Sequence, residues 1–269
     1  MDYTARVTPH RFAAIHCFAA TQDVRSYLNG VTIEPHPDKG VVIMATNGFH
    51  MGVIHDPDGW AARHIIVGDL SRQLIDACKG KLPERGKRPK ADKPHGKKAK
   101  KHDALPHIPQ RLFIGQDGAL LDWGRADSEP PASPFDAQVL FADRISLIKA
   151  EPIGWRKVLS VERQPNGPMP LVNLALLTPI CEAARVLNYN RDHSAACHLE
   201  VANDGKIIAR LPHSLESDRF VAAVMPMRDD QPRGDLIPAA LAPKPKQKPR
   251  LQFSSSGALL DTIDAPAEA

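Results

Sequence analysis

Twelve histidines and four cysteines give this 269-residue chain the raw material for metal or thiol chemistry, yet their spacing builds none. His16-Cys17 and Cys197-His198 are adjacent pairs, and neighbours in sequence point to different faces of a helix or strand. No Cys-x-x-Cys, His-Glu-x-x-His or Gly-x-Ser-x-Gly spacing occurs, so the expectation is a protein that is not an enzyme, with no catalytic residue, metal or cofactor. The chemistry on offer is adhesion. Three separated strings mix apolar side chains with a few polar ones: Gln22-Asp23-Val24-Arg25-Ser26-Tyr27-Leu28-Asn29-Gly30, Ala45-Thr46-Asn47-Gly48-Phe49-His50-Met51, and Ala223-Val224-Met225-Pro226-Met227-Arg228. Brought together, they form an apolar surface with a polar rim, which grips a partner's side chains rather than cuts a bond. Met51, Met225 and Met227 are flexible and polarizable, suited to moulding around leucine or phenylalanine. Gly48 permits a tight turn, and Pro226 holds its stretch extended.

The elements that must position these strings follow from periodicity. Residues 9–20 read as a short amphipathic helix with Pro9 near its start and Phe12, Ile15 and Phe18 on the apolar face. Strands are expected at 31–34, 41–46, 51–54 and 65–67, and a second helix at 69–79 stopped by Gly80. A hairpin at 111–115 and 119–123 turns on Gln116-Asp117-Gly118, and 137–141 adds a strand. A third helix lies between Asn173 and Leu187, capped either at Asn173 or at Thr178-Pro179. Strands at 198–202 and 206–211, joined by Asn203-Asp204-Gly205, and at 220–225 complete the series. Three helix-centred units with their own strands predict an α+β fold, with helices on one face of antiparallel sheets.

The three strings, in this order, resemble the bacterial β sliding clamp, the subunit of DNA polymerase III that tethers polymerase to its template. Its central domain carries a pattern close to Gln-Asp-Val-Arg-Tyr-Tyr-Leu-Asn-Gly and then Thr-Asp-Gly-His-Arg-Leu, and the chain ends on Met-Pro-Met-Arg-Leu. Here Ser26 replaces a tyrosine, Asn47 an aspartate, Phe49-His50-Met51 the His-Arg-Leu, and Asp229 the closing leucine. The likeness implies a shortened variant built of repeated βαβββ units. Residues 1–160 would be central-domain-like with a disordered basic insertion at about 79–107, 161–228 would be the latter half of a terminal domain, and 229–269 a disordered tail.

The resemblance also assigns roles. Leu28, Thr46, Gly48, Phe49, His50 and Met51 would form a partner-peptide pocket with Pro152, Val158, Val224, Met225, Pro226, Met227 and Arg228. Short Gln/Leu/Phe peptides of DNA polymerase or repair proteins would enter it, and a clamp loader would be a further partner. Arg25 and Tyr27 would touch DNA, the arginine neutralising phosphate and the tyrosine stacking on a base. The function implied is that of a DNA replication or repair processivity factor, the alternative being a non-encircling module that competes for clamp-binding proteins. Because the family's ring contains twelve helices and three are expected here, closure would take a homo-oligomer of four copies.

Charge and composition bound the rest. The net charge of +4 hides a segmental split: residues 79–101 hold eleven Lys or Arg against Glu84 and Asp92, a local +9 that leaves −5 elsewhere. An acidic body repels DNA except where cations are placed. Lys87, Arg88, Lys90, Lys97, Lys98, Lys100 and Lys101 are therefore the candidate non-specific DNA contacts, with salt-dependent affinity from counterion release. Segments 79–107 and 229–269 are too rich in proline and charge to offset ordering entropy. The tail carries Gln247 ahead of Leu251-Gln252-Phe253, close to the Gln/Leu/Phe pattern and so a candidate tethered competitor for the pocket. Scattered cysteines predict free thiols, and no apolar run of about 20 residues or signal sequence is seen, which together predict a cytoplasmic protein with no membrane contact.

Overall fold

The computed structural model describes residues 2–81, 109–124, 128–151, 153–162, 164, 170–188, 196–212 and 216–227, together with the backbone of 251–253 and 259–262. The chain opens with β1 (Ala5–Val7), α1 (Pro9–His16), β2 (Val31–Pro35), β3 (Val41–Thr46) and β4 (His50–Asp56). After the two-residue β5 (Trp60–Ala61) the pattern repeats as β6 (Ile65–Gly68), α2 (Arg72–Cys78), β7 (Arg111–Ile114), β8 (Gly118–Asp122) and β9 (Val139–Arg144). Next come β10 (Ser146–Leu147), α3 (Trp155–Leu159), α4 (Thr178–Leu187), β11 (His198–Val201), β12 (Ile207–Arg210) and β13 (Phe220–Val224). Two βαβββ units are thus followed by one αβββ unit. All strand pairings are antiparallel.

The repeats interlock because each donates its first strand to the other's sheet. One sheet runs β5-β1-β7-β8-β9, and the second runs β10-β6-β2-β3-β4-β13-β12-β11. The third unit joins by pairing β13 with β4, Ala222 opposite Gly52 and Val224 opposite His50. The division expected at residue 160 therefore falls inside one compact unit, residues 1–228. In the unit spanning 229–269, where composition predicts no regular structure, β14 (Leu251–Phe253) pairs with β15 (Leu259–Thr262). Gln247 lies outside the described residues.

Strand alternation sorts the side chains into two layers. Val41, Ile43, Ala45 and Ile54 face the main core with Phe12, Ile15 and Phe18 of the α1 region, Leu74 of α2 and Ile180 and Ala184 of α4. Val42, Met44, Met51 and Val53 face the other way, where Trp155, Val158 and Leu159 cover them. As expected of the α+β arrangement, α1, α2 and α4 share one face of the sheets, and the additional short α3 packs on the opposite one. The sequence reading missed α3 because its five residues, Trp155–Leu159, follow a glycine that offers no side-chain cap and are too few for a full apolar period. Both candidate starts of the third helix exist. Asn173 caps a 3-10 turn over Leu174–Leu177 by accepting from the Ala175 N–H at 3.0 Å, and Thr178 then opens α4 with Pro179 in its first turn.

Gly52 sits mid-strand for a packing reason. A Cβ there would lie 2.3 Å from Phe18 Cδ2, so only glycine lets the fully buried Phe18 ring lie against the sheet. Arg11 is buried inside the helical layer and is held chiefly by two buried carboxylates, Glu216 and Asp56. Its Nε and Nη2 donate to Glu216 at 3.1 and 2.9 Å, and Nη1 to Asp56 at 2.6 Å. Asp56 also caps α1 by accepting from the Thr8 N–H at 2.6 Å.

Candidate partner-binding cleft

Four elements converge at one end of the eight-stranded sheet. The loop 21–30 is wound into a compact turn: Asn29 accepts from the Asp23 N–H at 2.8 Å and donates back to the Asp23 carbonyl at 2.7 Å. Asp23 in turn accepts from the Arg25 main chain at 2.8 Å and from its guanidinium at 3.0 and 3.1 Å. Hydrogen bonds from Arg25 hold the Asp23 carboxyl below its usual range. A single 3-10 turn, Ser26–Leu28, then buries Leu28.

The β3–β4 turn is the second wall. The Thr46 hydroxyl donates to the His50 carbonyl at 2.6 Å and accepts from the Gly48 N–H at 3.0 Å, while Asn47 accepts from the Phe49 and His50 N–H groups. Gly48 has φ +92°, a conformation that L side chains rarely adopt, so the glycine is required by the turn itself. Phe49 is left 61% exposed at the rim. The third wall is the end of β13, fastened across the turn by a Met225 N–H to Phe49 carbonyl bond of 2.8 Å. The fourth is α3, anchored through Glu34, which accepts from the Trp155 indole at 2.9 Å and pairs with Arg156 at 2.7 Å.

Between these walls lies a cleft of about 200 Å³ lined by Arg25, Tyr27, Leu28, Thr46, Gly48, Phe49, His50, Met51, Ile153, Val158, Ala223 and Met225. Eight of the thirteen residues expected to form a pocket meet here: Leu28, Thr46, Gly48, Phe49, His50, Met51, Val158 and Met225. Val224 does not. It lies fully buried in the main core, because alternation along β13 sends Ala223 and Met225 to the cleft and the residue between them to the helical side. Pro226 and Met227 are also outside the lining; the Met227 N–H bonds the Leu171 carbonyl at 2.8 Å and its side chain is half exposed. Pro152 and Arg228 lie outside the described residues, as do Lys87, Arg88, Lys90, Lys97, Lys98, Lys100 and Lys101. Arg25 and Tyr27, assigned to DNA from the sequence, are placed in the cleft wall. Ile153 and Ala223 were missed, although the alternation that excludes Val224 selects Ala223.

His50 packs edge-on against Phe18 at 5.6 Å, and its ring nitrogens find no hydrogen-bond partner among the described residues. Burial, partly opposed by the Phe18 main chain, lowers its pKa, so it is neutral at pH 7. Cys17, Cys78 and Cys181 are free thiols. Burial raises Cys17 and Cys197 to about 11 and Cys78 still further, which keeps these three protonated at neutral pH. Among the described residues no group of three His, Cys, Asp or Glu is placed to hold a metal ion, and no helix is long and apolar enough to cross a membrane.

Structure comparison places this architecture among bacterial sliding clamps. The H. pylori β clamp, solved in complex with diflunisal, matches with a TM-score of 0.50 at 8% identity over 85% of this chain and 67% of that one. DNA polymerase III subunit beta from Borrelia burgdorferi, in complex with a natural product, gives 0.48 at 11% identity, covering 84% of this chain and 64% of that one. The DNA polymerase sliding clamp of Pseudomonas aeruginosa gives 0.40 at 12% identity, covering 85% and 68%. The chain therefore spans about two thirds of the length of the clamps it matches. No protein-family model and no curated protein matches the sequence. Interlocked βαβββ units and the structural match together define a sliding-clamp fold.

Proposed function

We propose that the protein is a sliding-clamp-like accessory factor of DNA replication or repair that recruits polymerase or repair enzymes by binding their short apolar peptides in the cleft. The observation that carries this reading is the convergence of Leu28, Met51, Val158 and Met225 on one cleft, closed by the Phe49–Met225 main-chain bond. An adaptable methionine-containing wall with few polar groups suits several leucine- or phenylalanine-bearing ligands. DNA would be held non-specifically by the basic segment 79–101, with Arg25 and Tyr27 at the cleft wall serving the peptide, the DNA or both in turn.

Fluorescence anisotropy with a labelled Gln/Leu/Phe peptide tests the cleft. Met225→Ala and Val158→Ala are expected to weaken binding about tenfold each, near 1.4 kcal/mol. Affinity unchanged in both variants would remove the cleft from the function. Deleting 81–101 is expected to flatten the salt dependence of DNA binding, and an unchanged slope would assign DNA contact elsewhere.

A second reading, the non-encircling module, is favoured by one edge of the large sheet. The outer side of β11 is partly covered by the chain itself, through Gln164 N–H to the Val201 carbonyl at 2.9 Å and Asn203 N–H to the Glu162 carbonyl at 2.8 Å. A covered edge resists strand pairing with another copy. Solution mass across a concentration series separates the two: a stable tetramer supports a ring with α1, α2 and α4 of four copies as its twelve helices, and a concentration-independent monomer supports the module.

A further inference from the structure

Of the four cleft walls, α3 is the one least able to hold itself. It is five residues long, follows a glycine that offers no side-chain cap, and none of its residues is buried. A helix that short does not persist on its own, because its few hydrogen bonds do not offset the cost of nucleation. Yet Ile153, just ahead of it, and Val158, within it, both line the cleft.

Two kinds of contact hold α3. Trp155, Val158 and Leu159 cover Val42, Met44, Met51 and Val53. These apolar contacts are non-directional, and two of the four covered residues are methionines, which re-pack easily, so they keep α3 on the sheet without fixing where it lies. Direction comes from Glu34. The β2–β3 register sets Glu34 opposite Val42, one of the residues that α3 covers. Its Oε1 accepts from the Trp155 indole at 2.9 Å and pairs with Arg156 Nη2 at 2.7 Å. The Arg156 guanidinium in turn lies 4.3 Å from the centre of the Trp155 ring, so the three groups close on one another.

We infer that Glu34, which is not among the residues lining the cleft, is a positioning residue: it fixes α3 through Trp155 and Arg156 and so sets the width of the cleft. A wall fixed in advance need not be ordered by the ligand, which is how a remote carboxylate raises affinity. The effect on affinity rests on the cleft being a peptide site; the effect on α3 does not.

The test uses full-length variants and two readouts, binding of the labelled Gln/Leu/Phe peptide and amide hydrogen exchange over 153–159 without peptide. Glu34→Ala should weaken the peptide about fivefold, through loss of one indole hydrogen bond and one partly exposed ion pair, and should speed exchange over α3. Trp155→Phe, which keeps a ring over the sheet and removes the donor, should act in the same direction. Glu34→Gln, whose amide oxygen still accepts from the indole, should lose less. Coupling separates positioning from general loosening. Combined with Glu34→Ala, Met225→Ala should multiply the loss to about fiftyfold, whereas Val158→Ala should bring it only to about tenfold, the loss it causes alone, because both changes withdraw the same wall. Multiplicative loss with Val158→Ala, or unchanged exchange over α3 in Glu34→Ala, would overturn the inference. If the unaltered protein binds no peptide, the cleft reading falls, and exchange over α3 decides by itself whether Glu34 fixes the wall.

Discussion

The ion cluster at Arg11 gives the sharpest energetic prediction. Glu216 precedes β13, whose end forms one wall of the cleft, and its carboxylate takes two of the three donor directions of an arginine whose side chain is 6% exposed. Glu216→Ala would leave that cation buried with Asp56 at 2.6 Å and the mostly exposed Asp58 at 3.5 Å as its remaining carboxylates. Breaking a buried pair from one side costs about 3–5 kcal/mol. The surviving Asp56 contact lowers this to about 2–3 kcal/mol, or roughly 4–12 °C in Tm for a unit of this size. Arg210→Ala, which removes an equally short 2.8 Å pair whose arginine is 52% exposed, should cost less than about 1 kcal/mol. Urea unfolding of the two variants decides whether burial or geometry sets the magnitude; equal losses would refute the argument. The same carboxylate makes a pH prediction. Burial raises its pKa, but His10 and Arg11 outweigh this and the net shift is downward from 4.5. A depressed folded value means the contribution is complete above about pH 4.5 and lost as pH falls through the folded pKa. The stability gap between the protein and Glu216→Gln should therefore close below that pH.

Other positions extend the test. His16 is held to about 4 by burial and by Lys79, so its neutral form is required; stability should fall as pH drops from 6.5 toward 4, and His16→Gln should flatten that part of the profile. Gly52→Ala should destabilise by about 1–3 kcal/mol in urea unfolding through its clash with Phe18, against the small gain alanine normally brings to a strand. Gly48→Ala should cost about 1–2 kcal/mol from its positive φ and lower peptide affinity, since the new methyl would stand 3.4 Å from the Arg25 guanidinium in the cleft wall.

Much of this fold was legible in the sequence because most of its elements announce themselves locally. The strands at 31–34, 41–46 and 65–67 appear as β2, β3 and β6 within a residue or so, since apolar β-branched runs between turn signals admit few other conformations. Helices were overextended, 69–79 shrinking to Arg72–Cys78, because Ser71 caps the helix by accepting from the Leu74 N–H. Missing altogether were β1, β5, β10 and α3, each two to five residues long. Elements that short exist only through partners distant in sequence: β1 is a strand because Ala5 meets Ile114 on one side and Ala61 on the other.

For the cleft, residue types and local order were set by the sequence alone. Gly48 at a left-handed turn, methionines on an apolar run and an asparagine able to tie its own loop are local facts of covalent geometry and hydrogen-bonding capacity. Which of those residues share a surface was decided by tertiary pairing. The register of β13 on β4 turns Ala223 and Met225 toward Met51 and sends Val224 into the core, and the packing of α3 on the far face brings in Ile153 and Val158. A strand presents its side chains alternately to two faces, and only the register against a distant partner determines which face is the cleft.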